Sequence, residues 1–157
     1  MSSIFFNHPI KLESITHLET IFGTIVPWIK NKDILFLEGP LGAGKTTSAR
    51  FLIQALVGEK IDVPSPTFNL VHTYETKNFP LWHFDLYRLK NEEELFDIGI
   101  EEALSHGVLL IEWPDKGGRL LPHPSLRFQF YFGENDTRFL TLIPSIEWSE
   151  RIKNDSF

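Results

Sequence analysis

The sequence predicts an α/β fold, with a mixed sheet that is parallel at its centre, antiparallel in its hairpins and covered by helices on both faces. Three observations predict it. Asp33 to Glu38 is a largely apolar run that leads directly into a glycine-rich turn, Gly39 to Thr47, and then into an amphipathic segment, Thr46 to Val57. Val108 to Ile111 is a second short run, wholly apolar, as expected of a strand buried on both faces. Leu126 to Phe132 and Phe139 to Ile143 flank the polar turn Gly133 to Arg138, a hairpin signal.

The elements follow in order. Glu13 to Lys30 places Ile15, Leu18, Ile21, Phe22, Ile25 and Ile29 on one helical stripe, opened by Ser14 as N-cap. Asn31 to Asp33 turns this helix into the first core strand. After the helix ending at Val57, Gly58 to Pro66 breaks regularity. Thr67 to Tyr74 and Leu81 to Asp85 are predicted strands around the polar turn Glu75 to Pro80. Asn91 to Ala103 is helical in pattern and interrupted near Gly99, with Glu92, Glu93 and Glu94 in a first turn, where the helix dipole favours acids. Val108 to Ile111 then ends at Glu112. From Ser149 the chain is polar and is expected to fray. No repeat or linker divides the sequence, so residues 1–157 are expected to form a single domain.

Composition narrows the function. There is no cysteine, which excludes disulfides and Cys-based zinc sites and suits a reducing cytoplasm. The six histidines lack ligand spacing such as HExxH. The N-terminal stretch lacks a basic leader region, and no apolar run reaches the roughly eighteen residues of a membrane span. Fifteen basic against 21 acidic residues give a formal charge of −6, which opposes unaided grip on a nucleic-acid backbone. Any RNA role therefore runs through a partner.

The chemistry begins at Gly39 to Thr47, GPLGAGKTT, which satisfies GxxxxGK[ST] in full. Glycines let successive N–H groups turn inward on phosphate oxygens, Lys45 adds a mobile positive charge, and Thr46 offers a hydroxyl to Mg²⁺. Strand, loop and helix in this order define a P-loop NTPase fold. In such sheets ligands lie beyond the carboxyl ends of the parallel strands. Two acids end apolar strands there: Asp85, and Glu112 in a strand resembling a Walker B segment. Phosphoryl transfer needs a carboxylate for the Mg²⁺ shell and a second group for the attacking water. Thr67, within Ser65-Pro-Thr-Phe68, sits where a switch segment senses Mg²⁺ or γ-phosphate. His83 either supports Asp85 or packs on its strand. Arg50 and Arg88 either face phosphate or pair with an acid.

Taken together, LGAGKTT (41 to 47), VPSPTFNLV (63 to 71), HFDLYRL (83 to 89), DIGIEE (97 to 102) and IEWPDK (111 to 116) resemble the TsaE family of bacterial P-loop ATPases. Those proteins serve the synthesis of threonylcarbamoyladenosine next to the anticodon of tRNAs reading ANN codons. The resemblance implies that Gly39, Gly42, Ala43, Gly44, Lys45, Thr46 and Thr47 cradle ATP. It further implies that Thr46 and Glu112 hold Mg²⁺, that Asp85 acts near the attacking water, and that Thr67 lies close to the γ-phosphate. Glu13 and Thr137 would add nucleotide contacts. Pro40 replaces the family's usual acidic residue, with little expected loss of binding. Implied as partners are the transferase subunit TsaD and its non-catalytic relative TsaB, with tRNA met only through them.

Two other readings compete. A small-molecule kinase would carry a basic lid, and only the sparse Lys116 to Arg119 offers one. A nucleotide-sensing module would bind ATP without useful hydrolysis. A GTPase is disfavoured because the guanine-reading NKxD string is absent.

Overall fold

A computed structural model of the chain describes residues 6–66 and 68–154. Its seven strands form one sheet in the order β1-β7-β6-β2-β5-β4-β3. These are β1 (Ile10–Lys11), β2 (Ile34–Glu38), β3 (Val71–Glu75), β4 (Pro80–Asp85), β5 (Val108–Glu112), β6 (Leu126–Phe132) and β7 (Arg138–Pro144). The inner strands β6, β2, β5 and β4 run parallel, while β3, β7 and β1 pair antiparallel at the flanks. The predicted mixed sheet with a parallel centre is what forms.

Burial explains the strand sequences. β5 is buried along its whole length, and β2 all but its last residue. Side chains alternate between two cores: Leu35 and Leu37 of β2 enter one, Ile34 and Phe36 the other. The first core takes the helices α1 (Ile15–Ile25) and α2 (Lys45–Val57) through Leu18, Phe22, Leu52 and Ile53. The second takes α3 (Glu94–Asp97) and α4 (Ile100–Ser105) through Leu95, Ile100 and Ala103. Helices therefore cover both faces, and the sheet is shielded as a parallel centre requires.

Local chemistry sets the helix ends. Ser14 caps α1 by accepting a hydrogen bond from His17 N–H at 3.1 Å. Near its other end the chain tightens into a 3₁₀ turn, Val26–Trp28, at Pro27. Gly99, at φ 90°, separates α3 from α4 at the predicted interruption.

Two expectations differ, and one strand was not expected. β1 has no sequence signal, since it is only two residues long. The strand expected from Thr67 starts at Val71, because residues 68–70 form a turn in which Leu70 has φ 65° and donates to Pro66 O at 2.8 Å. Thr67 itself lies outside the described residues. The fraying expected from Ser149 is corrected as far as Asn154, since α5 (Ile146–Asn154) continues through Ser149; residues 155–157 lie outside the described residues. Trp148 is fully buried in the first core. Arg151 clasps Asp33 with two hydrogen bonds, at 2.7 and 3.0 Å, and donates a third to Trp28 O at 2.7 Å. Polar composition concealed a helix held by Trp148, by the partly buried Ile152 and by one arginine.

Replacing Trp148 with alanine should therefore cost about 3–5 kcal/mol of unfolding free energy. Denaturant titration checks this; a loss below about 1 kcal/mol, the size of a typical surface change, would mean that α5 is not part of the cooperative core.

Candidate active site

The sheet register builds the site. Leu37 on β2 lies opposite Glu112 on β5, and Glu112 lies opposite Asp85 on β4. Three parallel strands therefore end level, with both carboxylates on the face covered by α2. The glycine-rich loop leaves β2 one residue beyond its end and curls over this edge. Gly39 takes φ 145° with its backbone against β6; an added Cβ would come within 2.6 Å of Phe130 O, so only glycine fits. Gly44, at φ 117°, turns the chain into α2. The first helical bond runs from Ser48 N–H to Gly44 O at 2.9 Å, so the N–H groups of Lys45, Thr46 and Thr47 have no acceptor within the helix. Such a helix start attracts anions.

The loop opens on a cleft of about 830 Å³. Gly42, Ala43, Gly44, Lys45, Thr46 and Thr47 line it, as do Asp85 and Glu112. Gly39 stands just behind, where it sets the loop's path. Glu13 and Thr137 also line the cleft, although they come from opposite ends of the sequence. Pairing of β1 with β7, extended by Leu12 N–H donating to Arg138 O at 2.9 Å, brings them together.

Charged groups here are buried and hydrogen-bonded, largely to backbone and hydroxyl groups. Lys45 is only 5% exposed. Its Nζ donates to the carbonyls of Gly39 and Pro40 and lies 3.9 Å from the Trp113 ring centroid. Burial lowers its pKa from the usual lysine value, against the opposing attraction of Glu112, Asp85 and Asp115. Glu112 is 1% exposed and held at both oxygens: Thr46 Oγ1 donates to Oε1 at 2.9 Å, and His83 Nε2 lies 2.7 Å from Oε2. Asp85 accepts from Tyr87 N–H at 3.1 Å and from Ser65 Oγ at 3.2 Å. Burial nonetheless raises its pKa above the ordinary carboxylate range, with the Glu112 charge acting in the same direction.

His83 thus hydrogen-bonds Glu112, whereas sequence reasoning offered either support of Asp85 or packing on the strand. Two further contacts escaped that reasoning. Ser65, not singled out in its segment, reaches Asp85, and Tyr87 packs against Trp113 with ring centroids 4.9 Å apart and planes tilted by 47°. A period-of-two count along β4 would have put His83 on the face of Asp85. Arg88 reaches the cleft and lies over Phe68 at 5.0 Å, whereas Arg50 lies over Phe51 at 5.4 Å, outside it. Neither pairs with an acid among the described residues.

The donor set fits a small hard cation. No cluster of three or more His, Asp or Glu cages a metal among the described residues. The adjacent Thr46 hydroxyl and Glu112 carboxylate instead offer two oxygen ligands, as Mg²⁺ takes when phosphate and water complete its octahedron.

A parallel-centred sheet with a glycine-rich loop, a helix start and two level carboxylates defines a phosphate-loop protein. The family model described as threonylcarbamoyl adenosine biosynthesis protein TsaE matches residues 12–142. The chain belongs to the TsaE family. A relative from Rickettsia felis, named tRNA threonylcarbamoyladenosine biosynthesis protein TsaE, is 41% identical over 124 residues, 79% of this chain and 72% of its own. The protein of the same name from Bacillus subtilis is 35% identical over 135 residues, 85% of this chain and 80% of its own. The solved structure of Bacillus subtilis YdiB superposes with a TM-score of 0.70 at 24% identity, covering 93% of this chain and 91% of its own, which establishes the shared fold. No helix among the described residues is long and apolar enough to cross a membrane.

Because the folded-state pKa of Asp85 lies above its unfolded value, ionising it costs the folded protein stability. That cost is absent below the ordinary carboxylate range and complete above the raised pKa. Asp85→Asn, whose amide oxygen still accepts from Tyr87 N–H, should melt higher than the parent at neutral pH, by about 2–4 °C per kcal/mol relieved. The gain should vanish in acid. Melting curves across pH check it, and an Asn variant that melts lower at every pH would refute the assignment.

Proposed function

We propose that this protein is a Mg²⁺-dependent ATPase that acts as an accessory to the TsaD–TsaB transferase complex in tRNA threonylcarbamoyladenosine synthesis. The observation that carries this reading is the level ending of β2, β5 and β4. It gathers the phosphate loop, Glu112 and Asp85 around one cleft. Family membership supplies the pathway.

The residues divide the work by their chemistry. Backbone N–H groups from Gly42 to Thr47 surround the triphosphate, and Lys45 exchanges its carbonyl acceptors for β- and γ-phosphate oxygens. Thr46 and Glu112 would hold Mg²⁺, which neutralises charge developing on the phosphate oxygens. Asp85 orients the attacking water. Its burial makes the carboxylate a better proton acceptor than an exposed aspartate, and Tyr87 N–H and Ser65 Oγ fix its direction. Glu13 and Thr137, which also line the cleft, would add further contacts to the nucleotide.

Ser65 extends this site to the segment that includes Thr67. Ser65 Oγ donates to Asp85 at 3.2 Å, and Phe68, 85% exposed, lies beside Arg88. A partner that orders this segment would align Asp85, so turnover is slow alone and accelerated by the complex. The acidic chain charge also makes coupling through protein contacts easier than direct tRNA grip.

Phosphate release from ATP, measured with and without a TsaD–TsaB pair from the same source, tests the proposal. Stimulation by the pair that Lys45→Ala reduces by about 100-fold or more supports it. Tight ATP binding without stimulation would favour a binding module or a kinase lacking its acceptor. Glu112→Gln should retain ATP binding better than turnover; equal loss of both would reassign Glu112 to folding.

A further inference from the structure

Glu112 is the most thoroughly enclosed acid in the cleft, and its two oxygens have different partners. Oε1 meets the Thr46 hydroxyl at 2.9 Å, on the cleft side. Oε2 meets His83 Nε2 at 2.7 Å, beneath the site. The His83 side chain is 0% exposed and that of Glu112 2%. His83 lies two residues before Asp85 on β4, in register with Leu110, so it points to the same face one pleat deeper. Its Nδ1 has no hydrogen-bond partner among the described residues. Among the described residues, Glu112 is therefore the ring's only hydrogen-bond partner. A histidine needed only to fill space at this depth would be replaceable by an apolar residue, with no orphaned nitrogen to bury.

We infer that His83 is a positioning residue for the Mg²⁺ site: by holding Oε2 it fixes the Glu112 carboxylate so that only Oε1 faces Thr46. This rests on the ATP-and-Mg²⁺ reading above and deepens it. The consequence is one of cation choice. A carboxylate with one oxygen committed elsewhere presents a single ligand, which suits the small octahedral shell of Mg²⁺. A carboxylate free to rotate can present both oxygens, as the larger and more flexible Ca²⁺ shell accepts. Partners that orient a metal ligand typically change metal affinity by about 10–100-fold when removed.

Two variants separate positioning from packing. His83→Leu removes the donor and keeps an apolar filling, whereas His83→Gln keeps an N–H donor at about the distance of Nε2. Binding of a ribose-labelled fluorescent ATP is titrated first without metal, then with Mg²⁺ alone and with Ca²⁺ alone. His83→Leu should raise the Mg²⁺ concentration for half-maximal effect by about tenfold or more. It should also narrow the preference for Mg²⁺ over Ca²⁺ while leaving metal-free binding within about twofold. His83→Gln should recover most of the Mg²⁺ response. An unchanged Mg²⁺ midpoint in His83→Leu, or equal loss in both variants, overturns the inference.

A nucleotide-free readout keeps its failure distinct from failure of the ATP reading. The imidazole ¹⁵N signals of His83, identified by their loss in His83→Gln, should report a protonated Nε2 and shift in Glu112→Gln. Signals indifferent to Glu112→Gln would overturn the His83–Glu112 tie whatever the protein binds. Shifting signals in a chain that binds no ATP would overturn the nucleotide reading and, with it, the Mg²⁺ role assigned to His83.

Discussion

Everything chemical in this molecule depends on the lateral register of its parallel strands. Leu37, Glu112 and Asp85 stand side by side because β2, β5 and β4 are hydrogen-bonded in one alignment. Side chains alternate along a strand, so a slip of one residue would turn Glu112 into the opposite core, away from Thr46. The apolar residues on either side prevent that slip. Leu110 and Ile111 belong to different cores, and shifting the strand would exchange their surroundings. Hydrophobic packing thus acts as the ruler by which the carboxylates are placed, which is why a site of polar groups can be built on some of the least polar segments of the chain.

The same burial sets a tension that the site resolves internally. Lys45, Glu112, Asp85 and His83 are each buried. In place of water they have one another and the backbone: carbonyls for Lys45, a hydroxyl and an imidazole for Glu112, an N–H and a hydroxyl for Asp85. The compensation is unequal. Desolvation still dominates at Lys45 and Asp85, the two groups given the most active chemical roles, although each keeps its hydrogen-bond partners.

Legibility in the sequence follows the range of the interaction. The phosphate loop, the strand-end acids and the two hairpins rest on local patterns, apolar runs and glycines at fixed offsets, and could be read directly. The strand expected from Thr67 forms but starts later, at Val71, because of a local feature as well, a left-handed Leu70 that no propensity marks. What could not be read depends on pairing between distant segments. β1 exists only because β7 offers it an edge, and α5 holds only because Asp33 and the first core receive Arg151 and Trp148. His83 illustrates the boundary. Its face follows from strand periodicity, but its partner follows from the register between β4 and β5, which the sequence does not display.

Asp33 lies immediately before β2, at the end of that strand remote from the phosphate loop. Besides Arg151 it accepts from Lys30 N–H at 2.8 Å, while Lys32 N–H reaches Gly107 O at 2.8 Å. The base of the central strand is therefore pinned to α5, to the turn that precedes it and to the chain leading into β5. Movement originating at the loop has no slack to draw on from below. Gly39, Gly42 and Gly44, all at positive φ, are where the loop's backbone has most freedom to adjust, so the scaffold works as an anvil beneath it.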